Sequence, residues 1–349
     1  MIWLTWRQFR VQAITAAAAL AAFAVLLALT GPHLASLYAA SGINGCQGTG
    51  CEHLASNFLY QLQAGTYWVV YLIGVMIILF VPAVIGLFWG APMVAREIET
   101  GTHHLAWTQS ISRTQWLAVK LALIGLAAMA VTEAFSLMQG WWAAPIGRAV
   151  GLGATSTFFA MSRFNSLAFA THGITPLGYA AFGYALGVTA GALIRRALPA
   201  MAVTLAIFAA AQIAMPLWIR PNLLPAEHAV VSVTSLRTIT LQDGGPHSSQ
   251  FHLGTENLPG QPGAWILSAG TVNAAGQATS SIPAACTPQP DDTPHAFIEC
   301  LASRGIRESV AYQPASRYWA FQWTETAIYL AVALALSGCC FWRLSRRLT

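Results

Sequence analysis

The hydrophobic positions of this chain form long unbroken runs, without the alternation of a half-buried strand or the three-and-four spacing of a surface helix. A helix crossing a hydrocarbon core needs about 20 mostly apolar residues. Six stretches reach that length: Gln12–Thr30, Tyr67–Trp89, Trp116–Met138, Pro176–Ile194, Pro199–Ile219 and Tyr318–Trp342. The second contains Pro82, which predicts a kink, and Pro199 stands just inside the start of the fifth, where proline fits a helix best. Aromatic residues mark many of the ends (Tyr67, Trp68, Trp89, Trp116, Trp218, Tyr318, Trp319, Trp342), as expected of side chains at the headgroup level. The first apolar run, Ala16–Leu29 at its centre, exceeds the apolar core of a signal peptide and reads as a span. Ahead of it, Met1–Val11 places Ile2, Trp3, Trp6 and Phe9 on one face and Arg7, Gln8 and Arg10 elsewhere. That pattern predicts a short helix lying in the membrane interface; a plain extension of the first span is the alternative.

Between the fifth and sixth runs the pattern changes. Residues 220–317 are rich in Gly, Pro, Ser, Thr, Asp and Asn, with short β-type runs at Ala229–Val233, Thr238–Leu241, Trp265–Ser268 and Glu308–Tyr312 and a possible helix at His295–Ser303. The expected fold is an all-α polytopic membrane protein with an N-terminal interfacial helix (1–11), helices one to five (12–219), a small β-rich extracytoplasmic domain (220–317), and a sixth helix with a cytoplasmic tail (318–349).

Composition agrees, since only 8% of the 349 residues are charged, against about a quarter in soluble domains. The net charge of +5 comes from arginines beside the apolar runs, with Lys120 the single lysine, so the charge reads as helix orientation and no nucleic-acid partner is expected. Arg7 and Arg10, then Arg96, Arg113 and Lys120, then Arg195 and Arg196, then Arg343, Arg346 and Arg347 flank alternate loops, whereas Gly31–Gly65 has neither lysine nor arginine. The positive-inside rule therefore predicts both termini in the cytoplasm, and the plasma membrane of a bacterium as location. Cys46 and Cys51 fall in the first outer loop and Cys286 and Cys300 in the outer domain, while Cys339 and Cys340 fall at the inner end of the last span. Disulfides Cys46–Cys51 and Cys286–Cys300 are expected in an oxidising exterior; a metal site at the first pair would have only His53 close enough to help.

The longest inner connection, 91–115, carries Arg96-Glu97, then Glu99-Thr100-Gly101-Thr102, then Ser112-Arg113, Trp116 and Lys120. It offers charges and an apolar ridge without a nucleophile–base pair, which suits docking. These motifs, in this order, resemble the permeases of type-2 ATP-binding-cassette exporters. The insertion before the last span, and the segment from Tyr312 to Glu325, are similar to a subgroup of half-size bacterial forms. The resemblance implies that Glu97–Thr108 inserts into a groove of an ATPase subunit, with Glu97, Glu99, Gly101, Thr102 and Arg113 as coupling residues. It also implies two ATPase subunits that bind the ATP and magnesium, a second permease protomer of the same or a related chain, and no cofactor on this chain.

A P-loop requires G-x-x-x-x-G-K-[ST], and Lys120 lies between Val119 and Leu121, so this chain has none and is not expected to be an enzyme by itself. Gly183, Gly187 and Gly191 form a doubled G-x-x-x-G, which Gly178 extends; such a strip lets a neighbouring helix approach closely, in the same protomer or the other. Ionisable and amide side chains inside spans are candidates for a transport path: Glu133, Glu325, Gln139 and Gln212. The carboxylates could equally pair with Arg148, Arg163 or Arg317. A path with these walls would take a hydrophobic or amphipathic compound such as a drug, secondary metabolite or lipid. An ion-coupled secondary transporter, or a membrane sensor or assembly protein acting through its outer domain, are the competing readings.

Overall fold

In a computed structural model the described residues are 2–46, 50–99, 113–154, 159, 163–233, 258, 260–261, 263–279, 283–286 and 294–347. The chain divides into two compact units: a helical one, residues 1–161, 165–223 and 319–349, and a smaller one, residues 162–164 and 224–318.

The helical unit contains α1 (Ile2–Ala40), α2 (Cys51–Ala64), α3 (Tyr67–Ile85), α4 (Ala91–Glu99), α5 (Arg113–Gly151), α6 (Ser166–Thr171), α7 (Thr175–Ile194), α8 (Ala197–Ala214) and α10 (Tyr318–Arg347). Among the described residues, six helical stretches are long and apolar enough to cross a membrane: Phe9–Ala40, Tyr67–Arg96, Ala118–Gly151, Thr175–Ile194, Ala197–Asn222 and Ala315–Arg343. They correspond one to one with the six runs read from the sequence. Large apolar side chains stand exposed on them, among them Leu29, Phe80, Leu126, Leu198, Ile213 and Leu334, as a lipid solvent permits.

The elements differ from expectation at their ends. The first eleven residues are not a separate helix, because α1 runs unbroken from Ile2 to Ala40 with Pro32 inside it. The stretch after it is not a plain loop. Residues 51–64 form α2, whose Cys51, Ala55, Phe58, Leu59 and Leu62 are buried; the last four join a core with Phe23, Leu27 and Leu34 of α1 and Phe135, Trp142 and Ile146 of α5. The Trp142 indole N–H donates to Thr30 Oγ1 at 2.9 Å, tying α5 to α1. The second span does not stop at Trp89. A wider π-helical turn, Gly86–Gly90, carries it straight into α4. The centre of the unit is α7, buried at nearly every position from Thr175 to Ala192.

The smaller unit is a three-stranded antiparallel sheet with the last strand in the middle: β1 (Glu227–Ser232), β3 (Arg307–Gln313), β2 (Trp265–Val272). Three of the four expected strands are present; Thr238–Leu241 lies outside the described residues. The expected helix is α9 (Pro294–Ser303), whose Phe297 and Leu301 pack with Val233, Cys286 and Ile306. Phe164 stacks on Trp265 and meets Tyr318 edge-on, and Arg317 bridges Glu227 at 2.7 Å. Both expected disulfides are formed, Cys46–Cys51 and Cys286–Cys300, leaving Cys339 and Cys340 as free thiols.

Candidate functional site

Two features of the helical unit go beyond ordinary packing. The first is a seam of backbone-to-backbone contact along α7. A methyl group on Gly183 would stand 2.6 Å from the Pro82 carbonyl oxygen, one on Gly86 2.6 Å from the Gly183 carbonyl oxygen, and one on Gly90 2.7 Å from that of Tyr184. Added carbons on Gly187 and Gly191 would run into the carbonyl oxygens of Gly86 and Ala91. The glycine strip therefore packs within the protomer, against the π turn and the start of α4, and Gly86 and Gly90 are its partners. Gly178, one turn further along, faces Thr326 of α10. Contact this close brings the backbones of α3, α4 and α7 together with no side chain of the glycine positions between them.

The seam ends where the inner connection begins. Ala91, Val94 and Ala95 are buried, and Ala91 packs with Ala190 and Ala200. Glu99, the last residue of α4, is exposed, and its Oε1 accepts the Ala197 backbone N–H at 3.1 Å. Of the other expected coupling residues, Gly101 and Thr102 and the side chains of Glu97 and Arg113 lie outside the described residues; Arg113 begins α5.

The second feature is a charged cluster inside the bundle, at the end of α8 remote from Ala197. Arg220 is 1% and Glu325 0% exposed. The guanidinium holds the carboxylate by two bonds, Nε to Oε2 at 2.8 Å and Nη2 to Oε1 at 3.0 Å, the forked geometry that makes such pairs strong. The Tyr179 hydroxyl donates to Oε1 as well. The guanidinium lies 3.9 Å from the centre of the Phe169 ring, and Tyr329 meets the Tyr179 ring edge-on. One helical turn before Glu325, Gln322 accepts the N–H groups of Ile174 and Thr175 and donates to the carbonyls of Phe169 and His172. Arg220, Glu325, Tyr179, Phe169, Tyr329 and Gln322 thus bind the end of the fifth span, α6, α7 and α10 to one another.

Glu325 is fully buried and paired with Arg220, where the sequence offered Arg148, Arg163 or Arg317 as partners. Gln139 is also fully buried, with its amide donating to the Tyr71 carbonyl at 3.4 Å. Glu133 and Gln212 are half-buried, and Oε2 of the one and Nε2 of the other have no hydrogen-bond partner among the described residues.

Residues 17–220 match the family described as ABC-2 membrane transporter related. The chain belongs to that family. No curated protein and no solved structure matches it. The matched stretch of this ABC-2-related protein starts within the first span and stops at Arg220 itself, before the sheet unit. The sixth span lies beyond it, and the Arg220–Glu325 pair is one of the contacts, with those of Gln322 and Tyr329, that join that span to the family's bundle. Six apolar helices and the family together make this a multi-pass membrane protein.

Proposed function

We propose that this chain is the membrane-spanning permease subunit of an ATP-driven exporter that moves hydrophobic or amphipathic compounds out of the cell. The family match over the first five spans is the observation that carries this reading. ATP, with magnesium, is hydrolysed on two separate ATPase subunits, in keeping with the absence of a P-loop here. A second permease protomer, identical or related, completes the set of spans and forms the path, with both termini in the cytoplasm and the sheet unit outside a bacterial plasma membrane.

The connection after α4 receives the movement of the ATPase, and the glycine seam supplies a stiff element to carry it, because α4 and α7 meet backbone to backbone. At the other end the Arg220–Glu325 cluster keeps α7, α8 and α10 in register, so that movement arrives as a displacement of helices and is not lost in local slippage. Glu133, half-buried with a carboxylate oxygen unpaired, is the intramembrane acid best placed to meet a cationic amphiphile. The reading is tested by purifying the tagged protein from its native membrane. An ATPase chain should accompany it, and Glu97→Arg should weaken that association by tenfold or more without changing membrane insertion. Recovery of the permease with no ATPase, under conditions that preserve the disulfides and the fold, would sink the proposal.

A further inference from the structure

The bond between Glu99 and Ala197 joins the inner connection to the start of the fifth span, across 98 residues of sequence. A helix start leaves its first N–H groups without intrahelical partners, and Ser, Thr, Asp or Asn at the preceding position normally accepts one of them. The residue in that position before α8 is Arg196, whose side chain has only donors and makes no capping bond. Pro199 has no N–H, and the Ala200 N–H already donates to the Arg196 carbonyl at 3.1 Å, so the first-turn donors left over are those of Ala197 and Leu198. Glu99 takes the first, and its negative charge sits at the positive end of the α8 dipole.

The surroundings make this bond a connection between moving parts. Only Arg195 and Arg196 separate α7 from α8, and Arg195 adopts a left-handed conformation with φ 60° to make the turn. The seam fixes α4 to α7, and Glu99 fixes the last residue of α4 to the first turn of α8. We infer that Glu99 is a positioning residue that passes displacement of the inner connection to the fifth span by capping that span's start, and that it is not a charge contact for the ATPase. The inference rests on the ATP-driven reading above, and it reassigns one of the two acidic residues of the connection.

Glu99→Ala removes the acceptor, whereas Glu99→Gln removes the charge and keeps a carbonyl oxygen at the same reach. Hydrogen exchange of the peptide covering residues 196–206 is measured in lipid nanodiscs, for the permease alone and for its complex with the co-purifying ATPase, before and after trapping with ATP and vanadate. Glu99→Ala is expected to speed exchange of the first-turn amides at least threefold and to abolish the change caused by trapping, with ATPase association within twofold of the unsubstituted protein. Glu99→Gln is expected to stay within twofold on all three measures. A tenfold loss of ATPase association in Glu99→Gln would make Glu99 a charge contact and overturn the inference, as would Glu99→Ala exchanging like the unsubstituted protein. If no complex forms at all, the ATP-driven reading fails, and exchange in the permease alone still decides whether Glu99 caps α8.

Discussion

Removing one partner of the buried pair should cost far more than removing both. Glu325→Leu leaves the Arg220 guanidinium, 1% exposed, over the Phe169 ring without its carboxylate, and leaves the Tyr179 hydroxyl without its acceptor. Arg220→Met leaves a fully buried carboxylate with Tyr179 as its only donor among the bonds described here. Breaking a buried pair from one side costs about 3–5 kcal/mol, because the survivor stays desolvated and uncompensated, whereas apolar replacement of both partners is often close to neutral. Each single variant should therefore lose about 4 kcal/mol. The double variant should lose no more than either one, and what it loses is the orphaned Tyr179 hydroxyl, worth about 1–3 kcal/mol. The interaction energy of the cycle is then about 5–7 kcal/mol, above the roughly 0.5–3 kcal/mol usual between contacting residues. Equilibrium unfolding in mixed micelles, followed by tryptophan fluorescence at a fixed detergent ratio, measures all four proteins. Single-variant losses below about 1 kcal/mol, the value of a solvated pair, would refute the reasoning. So would a double variant as poor as the sum of the two.

Gly183→Ala sets a methyl group 2.6 Å from the Pro82 carbonyl oxygen and should cost about 1–3 kcal/mol of stability in the same assay, whereas Gly338→Ala, with nothing within 4 Å, should be neutral or slightly stabilising. In membranes lysed without reductant, Cys46, Cys51, Cys286 and Cys300 should resist alkylation while the exposed Cys339 reacts; Cys286→Ser with Cys300→Ser should cost about 2–4 kcal/mol through the loop the bond closes. In a background without Cys339 and Cys340, a cysteine at Gly101 should label only from the cytoplasm and one at Gly244 only from outside; labelling of both from one side rules out the proposed topology.

The sequence disclosed the spans because a hydrocarbon core demands length and apolarity in one continuous stretch, a property no tertiary contact is needed to define. It disclosed the disulfides and three strands for a similar reason, since each is a local pattern in a region of changed composition. The helix Cys51–Ala64 escaped because it is short and mixed in polarity, so it looks like a loop until its buried face is seen against α1 and α5. The glycines of α7 announced a close approach but not the helix that approaches. Spacing along one helix carries no record of its neighbour, and Gly86 and Gly90 stand out only once the two backbones are in contact. Arg220 and Glu325 are 105 residues apart, and the boundary of the outer domain was drawn at Arg220, which hid it as a partner. The resemblance makes Glu99 a contact for the ATPase, and its bond to Ala197 is not legible in the sequence because the helix start it caps lies 98 residues away; an arginine in the capping position before α8 is the one local hint that the acceptor comes from elsewhere.

The central claim, that ATP on a separate subunit drives export through this permease, is tested most directly by transport of an externally added fluorescent amphiphile such as rhodamine 6G into inside-out vesicles containing the permease and its co-purifying ATPase. Uptake should require ATP, should vanish when the ATPase is omitted, and should persist when an uncoupler and a sodium ionophore collapse the proton and sodium gradients. Uptake driven by an imposed ion gradient without ATP, and abolished by the uncoupler, would contradict the claim and favour an ion-coupled carrier.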